Sequence, residues 1–161
     1  MRTFIDIVSG DEVLSDNFPI KEVDDIVYEV DCKFIEFKNH SDDDIEEDTS
    51  EKAPNKTFSV IDVVHAFNLQ QTEFDKKSYY EHLKSYAPAI EKHLSTTNPD
   101  RVPAFKKALE EYVTKIMLQW KYVQCYVGPN LDGMVAILRY REDGVTPYFI
   151  FWKDGLRAEN R

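Results

Sequence analysis

Six carboxylates fall within seven residues at Asp42, Asp43, Asp44, Glu46, Glu47 and Asp48, the densest set of hard oxygen ligands in the 161-residue chain. Such oxygens suit calcium. An EF-hand loop, however, needs a glycine at its sixth position for its sharp turn, and none stands here, so a site on this run is irregular and weak. The histidines offer less. His82 and His93 are separated by about 16 Å along one helical stretch, too far to share an ion, and His65 reads as a half-buried ring in a strand. Phosphate-binding glycine loops and a G-x-S-x-G elbow are absent; Gly10, Gly128, Gly133, Gly144 and Gly155 are isolated turn residues. Cys32 and Cys125 sit among strand-forming residues, and the sequence reveals no cation or helix start placed to activate either thiol. That setting predicts buried, inert thiols, and two cysteines are too few for a disulfide framework.

Charge sorts the remaining classes. The net charge is −10, yet residues 1–62 hold 18 acidic and 6 basic side chains, whereas residues 75–121 hold 9 basic and 6 acidic ones. Nucleic acid as a main partner is disfavoured, because phosphate recognition wants a concentrated basic face. The mildly basic segment suits an acidic protein partner instead. No stretch is long or apolar enough to cross a bilayer, and the opening residues lack an apolar signal core, so a cytoplasmic protein is expected.

Residues 1–37 carry short apolar runs broken by turns, which predicts a first sheet of short strands. Residues 38–57, nearly without apolar side chains, read as a mobile acidic loop. "TFSVIDVVHAFNLQ", 57–70, resumes a β-branched pattern and predicts one long strand. From 72 to 121 the period becomes helical. Thr72 with Asp75 has the form of a capping box, and Tyr79, Leu83, Tyr86, Ile90 and Leu94 make one apolar stripe, with Pro88 inside it as an expected kink. Val102, Phe105, Leu109, Tyr112, Ile116 and Trp120 make a second stripe, after Asn98 and Pro99 as cap and first turn. An antiparallel helical hairpin follows from the two. The unalternating run Tyr148–Trp152, fenced by Asp-Gly turns, predicts a strand covered on both faces.

Read together, "DIVSGDEVLSD", "FNLQQTEFDKKSYYEHLKSY", "NPDRVPAFKK" and above all "YREDGVTPYFIFWKDGL" resemble the translationally controlled tumour protein family over nearly the whole chain. The resemblance implies one α+β domain over 1–161: small sheets in a tent-like arrangement, similar to a Rab-exchange chaperone, with a protruding helical hairpin and a mobile acidic loop. It also implies a non-enzymatic cytosolic protein that needs no cofactor beyond weakly bound calcium. The implied partners are tubulin and microtubules, a Rheb-type small GTPase and a translation elongation factor, with Bcl-family regulators as further candidates and no membrane. The implied roles are growth promotion and suppression of cell death. Asp11 and Glu12 match the family's GTPase-contact pair. Lys76, Lys77, Lys84, Lys92, Lys106, Lys107 and Lys115 match the segment linked to tubulin, whose acidic tails they would attract.

Three departures stand out. "SDDDIEEDTSEKAP" replaces the family's first signature, Pro129 stands where a glutamate is usual, and the tail lacks a terminal cysteine. The competing class is a thiol-dependent reductase on a similar β fold, which requires an exposed cysteine of low pKa.

Overall fold

The computed structural model describes residues 1–38 and 57–160. The acidic run with its six calcium candidates, and His40, lie outside the described residues. Eleven strands and three α-helices occupy the rest. In chain order these are β1 (Arg2–Asp6), β2 (Glu12–Ser15), β3 (Ile20–Val23), β4 (Val27–Asp31), β5 (Phe34–Lys38), β6 (Thr57–Ile61), α1 (Asp62–Phe67), β7 (Gln70–Thr72), α2 (Lys76–Thr97), α3 (Val102–Leu118), β8 (Gln124–Val127), β9 (Ala136–Tyr140), β10 (Pro147–Trp152) and β11 (Leu156–Asn160). They form a three-stranded sheet ordered β11-β1-β2, a six-stranded sheet ordered β3-β4-β10-β9-β8-β7, and the ribbon β5-β6. The class is α+β.

β10 is the strand predicted to be covered on both faces, and every one of its residues is buried. It pairs antiparallel with β4 on one side, Phe149 opposite Val30, and with β9 on the other, Phe149 opposite Leu138. Alternation splits its side chains between two surfaces. Phe149 meets Tyr126 edge to face at 5.2 Å and continues to Phe151 on one surface. On the other, Trp152 meets Tyr112 of α3 at 5.8 Å, which places the hairpin over that face. Burying each such side chain contributes roughly 1.5–3 kcal/mol.

The hairpin follows its two stripes. α2 buries all five predicted residues, Tyr79, Leu83, Tyr86, Ile90 and Leu94, and α3 buries Phe105, Tyr112 and Ile116. α2 continues through Pro88, with Tyr86 and Ile90 packed on either side of it.

Four expectations change. The long strand at 57–70 is instead β6, α1 and β7: Asp62 Oδ1 accepts from the amides of Val63 at 2.8 Å and Lys33 at 3.2 Å, and Asn68 ends the helix with φ 54°. Fully buried Val63 shows that packing outweighs β-branched propensity there. His65 is accordingly helical, with its ring against Phe37 at 4.9 Å. The capping box lies three residues on from Thr72, which is in β7: Asp75 Oδ1 accepts from Ser78 N at 2.8 Å, and Ser78 Oγ accepts from Asp75 N at 2.9 Å. Asn98 makes no side-chain cap before the 3-10 turn Pro99–Arg101. Finally, the strands of 1–37 do not share a first sheet, because β1 and β2 join β11 while β4 joins β10.

Candidate functional site

The two acidic positions nearest the first turn point inward. Asp6, at the end of β1, is 1% exposed, and four donors converge on its carboxylate. Oδ1 accepts from Val8 N at 3.0 Å and Tyr86 OH at 2.9 Å; Oδ2 accepts from Ser9 Oγ at 2.9 Å and Met134 N at 2.6 Å. Burial, reinforced by that carboxylate, pushes the Tyr86 hydroxyl far above the ordinary phenol range. Asp11 is 7% exposed and holds Asn130 twice, through its side-chain amide at 2.7 Å and its backbone amide at 3.1 Å. The turn after β1 and the loop 128–134 are therefore bracketed by two carboxylates. Glycine is needed on the far side: a Cβ on Gly128 would run into Asp11, and one on Gly133, at φ +84°, into Asp6.

This geometry changes the reading of the pair Asp11–Glu12. Asp11 is an internal fastener, and Glu12, exposed on β2, is the member that faces outward. Val8 and Leu131 are exposed on the two bracketed loops, and so is Pro129.

His82 lies against the same bracket. Its ring stacks on Tyr86 at 5.5 Å and meets Phe74 at 5.8 Å, beside a cavity of about 330 Å³ that Thr72, Leu131 and Asp132 also line. Burial lowers its pKa, and its Nε2 is buried without a hydrogen-bond partner among the described residues.

The basic residues divide. Between α2 and α3 runs an open groove of about 770 Å³ with Leu83, Pro88 and Val113 among its apolar lining and Lys84, Lys106 and Lys107 among its charged lining. Glu91 and Glu110 are also there. Lys84 reaches Glu81 at 3.9 Å across one helical turn, a weak surface pair. Lys76, Lys77 and Lys92 are exposed elsewhere on α2. Lys115 is engaged: its Nζ meets Asp24 at 2.7 Å, a hydrogen bond that raises its pKa.

Arg101, which the charge pattern did not single out, fastens the bend of the hairpin to the β sheets. Its guanidinium holds Asp154 through Nε at 3.1 Å and Nη2 at 2.7 Å, and Asp25 through Nη1 at 2.6 Å. Asp24 and Asp25 form the β3–β4 turn with φ of 56° and 59°, conformations that Asp tolerates better than most residues.

Asp6, Tyr86, Asn130 and Arg101 were the functional positions least visible in sequence. The signal for Asp6 was an acid inside the apolar run "TFIDIV". Neither thiol meets the reductase requirement, since burial pushes Cys32 and Cys125 each up to about 12. No helix among the described residues is long and apolar enough to cross a membrane.

Comparison with known proteins converges on one family. The model of the translationally controlled tumour protein family matches residues 1–157. A translationally controlled tumour protein homologue of Schizosaccharomyces pombe is 45% identical over 166 residues, covering 99% of each chain. One from Mycosarcoma maydis is 46% identical over 166 residues, covering 98% of each. The solved structure of the S. pombe protein superposes with a TM-score of 0.89 over 100% of both chains at 45% identity. That of the Caenorhabditis elegans protein gives 0.71 at 26% identity, covering 100% of this chain and 99% of the other.

Proposed function

The chain belongs to the translationally controlled tumour protein family, and from that premise we propose that it is a non-enzymatic cytosolic interaction protein whose helical hairpin takes an acidic partner of the tubulin kind. The observation that carries this reading is the groove between α2 and α3, where Lys84, Lys106 and Lys107 stand beside an apolar lining. Lys106 and Lys107 have no ion-pair partner among the described residues, so an acidic tail meets charges that folding has not neutralised. An apolar side chain of the partner would enter between the helices. Lys76, Lys77 and Lys92 extend the field, whereas Lys115 is held by Asp24 and contributes little.

Co-sedimentation with microtubules tests the reading. Lys106→Glu/Lys107→Glu should pellet several-fold less than the wild type, and rising salt should reduce wild-type pelleting. Unchanged pelleting of the variant would reject the hairpin as the tubulin surface.

A second reading rests on Glu12. Its exposed carboxylate sits at a rigidly bracketed edge, next to Asp11, where it would reach a Rheb-type GTPase near its cation site. Growth promotion, contacts with the elongation machinery and protection from cell death would follow through such partners. Glu12→Ala should slow nucleotide exchange on that GTPase, and equal rates remove this role. Weak calcium binding is assigned to Asp42, Asp43, Asp44, Glu46, Glu47 and Asp48; a calorimetric titration without heat up to millimolar calcium would dismiss it.

A further inference from the structure

β11 is the outer strand of the sheet β11-β1-β2, and among the described residues no strand pairs with its other side. Which backbone groups face that side follows from the ladder. Ile7 N donates to Gly155 O at 3.0 Å, Asp6 N donates to Asp11 O at 2.9 Å, and Arg2 O accepts from Asp16 N at 3.0 Å. Odd-numbered residues of β1 therefore turn their backbone groups to β11, and even-numbered ones to β2. With Arg2 opposite Asn160, the same alternation turns Arg157 and Glu159 to β1 and leaves Leu156, Ala158 and Asn160 facing outward. The Leu156 amide is used by Lys153 O in the preceding 3-10 turn. The outward groups of Ala158 and Asn160 meet no partner among the described residues, and both residues are exposed.

Such an edge is a template for another strand unless its charges repel the newcomer. β11 carries one charge of each sign. Arg157 and Glu159 are ion-paired on one face of the strand, with 49% and 37% of their side chains exposed. Two copies meeting edge to edge in antiparallel fashion are related by a two-fold axis normal to the sheet. That axis keeps every side chain on its own face, so it must pass through a residue and not between two. With the axis at Ala158, Arg157 stands opposite Glu159 of the second copy, and Glu159 opposite Arg157 of that copy. These are non-hydrogen-bonded positions, where side chains come closest. The small Ala158 lies on the axis, where its outward amide and carbonyl pair with their own images. β3, an edge of the larger sheet, provides the contrast. Its Lys21 and Glu22 are adjacent and so lie on opposite faces, and no such axis brings them together.

We propose that β11 pairs with β11 of a second copy about an axis at Ala158, joining two three-stranded sheets into one continuous sheet. The contact is short, so the dimer forms and dissociates readily. It uses neither the hairpin groove nor Glu12, and it stands or falls apart from the readings above.

Sedimentation velocity of the full chain at concentrations up to about 0.3 mM tests the pairing. The wild type should shift from monomer toward dimer as concentration rises. Ala158→Pro should weaken self-association about ten-fold or more, since it removes an outward N–H from the centre of the contact. The fold should accept that change, because proline is tolerated on an edge strand with its nitrogen toward solvent. Arg157→Glu and Glu159→Arg should each weaken association several-fold, because like charges then stand opposite each other. Mixed in equal amounts, these two variants should associate with one another about as tightly as the wild type does with itself. A role confined to the ion pair within one strand gives no such rescue. The proposal is overturned if the wild type stays monomeric over this range, or if Ala158→Pro dimerises as the wild type does. It is equally overturned if the mixed variants fail to associate.

Discussion

The bracket around Asp6 and the hairpin around Lys106 are both rich in charge, and they use it in opposite ways. Asp6 and Asp11 are buried and accept six hydrogen bonds between them, so their charge is absorbed in joining residues 6–11 to the loop 128–134. Lys106 and Lys107 are exposed, have no ion pair among the described residues, and border an open groove. A charge that the fold neutralises holds structure, and a charge left in solvent remains free to meet a partner. Residue type alone does not tell a buried charge from an exposed one, as the neighbours Asp11 and Glu12 show.

Substitutions can break this contrast. Asp6→Ala should have the largest effect, a loss of about 3 kcal/mol or more in urea unfolding, because the amide of Met134 is left buried without its acceptor and Tyr86 OH keeps only the Gly155 carbonyl at 3.5 Å. A loss below about 1 kcal/mol would mean that the bracket is not a fastener. Arg101→Ala should cost less, about 2 kcal/mol, since Asp154 loses a bidentate partner at a partly buried site. Hydrogen exchange at residues 98–102 should rise in that variant, and unchanged protection would show that the bend is held by packing alone.

His82 sharpens the comparison with a pH-dependent effect. Burial keeps its folded-state pKa below the ordinary 6.5, so on acidification the unfolded chain takes up a proton that the folded protein resists. The residue imposes no cost above about pH 6.5 and an increasing one below it. His82→Phe should therefore lose less stability than the wild type between pH 7.5 and pH 5; parallel slopes would refute the assignment. Lys106→Glu/Lys107→Glu should have the smallest effect on stability, within about 0.5 kcal/mol, as expected for exposed positions. A larger loss would show that these lysines also serve the fold.

The helical stripes and the doubly covered β10 were legible because their periods are long and strict: five positions of α2 and all of Tyr148–Trp152 are buried as the pattern implied. Residues 57–70 were not, because nothing local distinguishes a β-branched helix from a strand; Asp62 gains its role only when Lys33, distant in sequence, arrives. The inward Asp11 was hidden for a similar reason. Its partner Asn130 lies 119 positions away, and no local feature of "SGDEV" reports whether the acid is wet or dry.

The pairing of β1 with β11 carries a consequence for the order of events during synthesis. Arg2 is opposite Asn160, so the first strand of the chain finds this neighbour only after the last one has been made. β4 waits in the same way for β10. While the ribosome adds the residues between, each strand keeps one open hydrogen-bonding edge, because only its local partner, β2 for β1 and β3 for β4, is already there. Closure of such distant pairs is slow and leaves edges exposed to other chains. The acidic character of residues 1–62 then serves the nascent chain, since like charges keep two waiting strands on neighbouring ribosomes from joining each other.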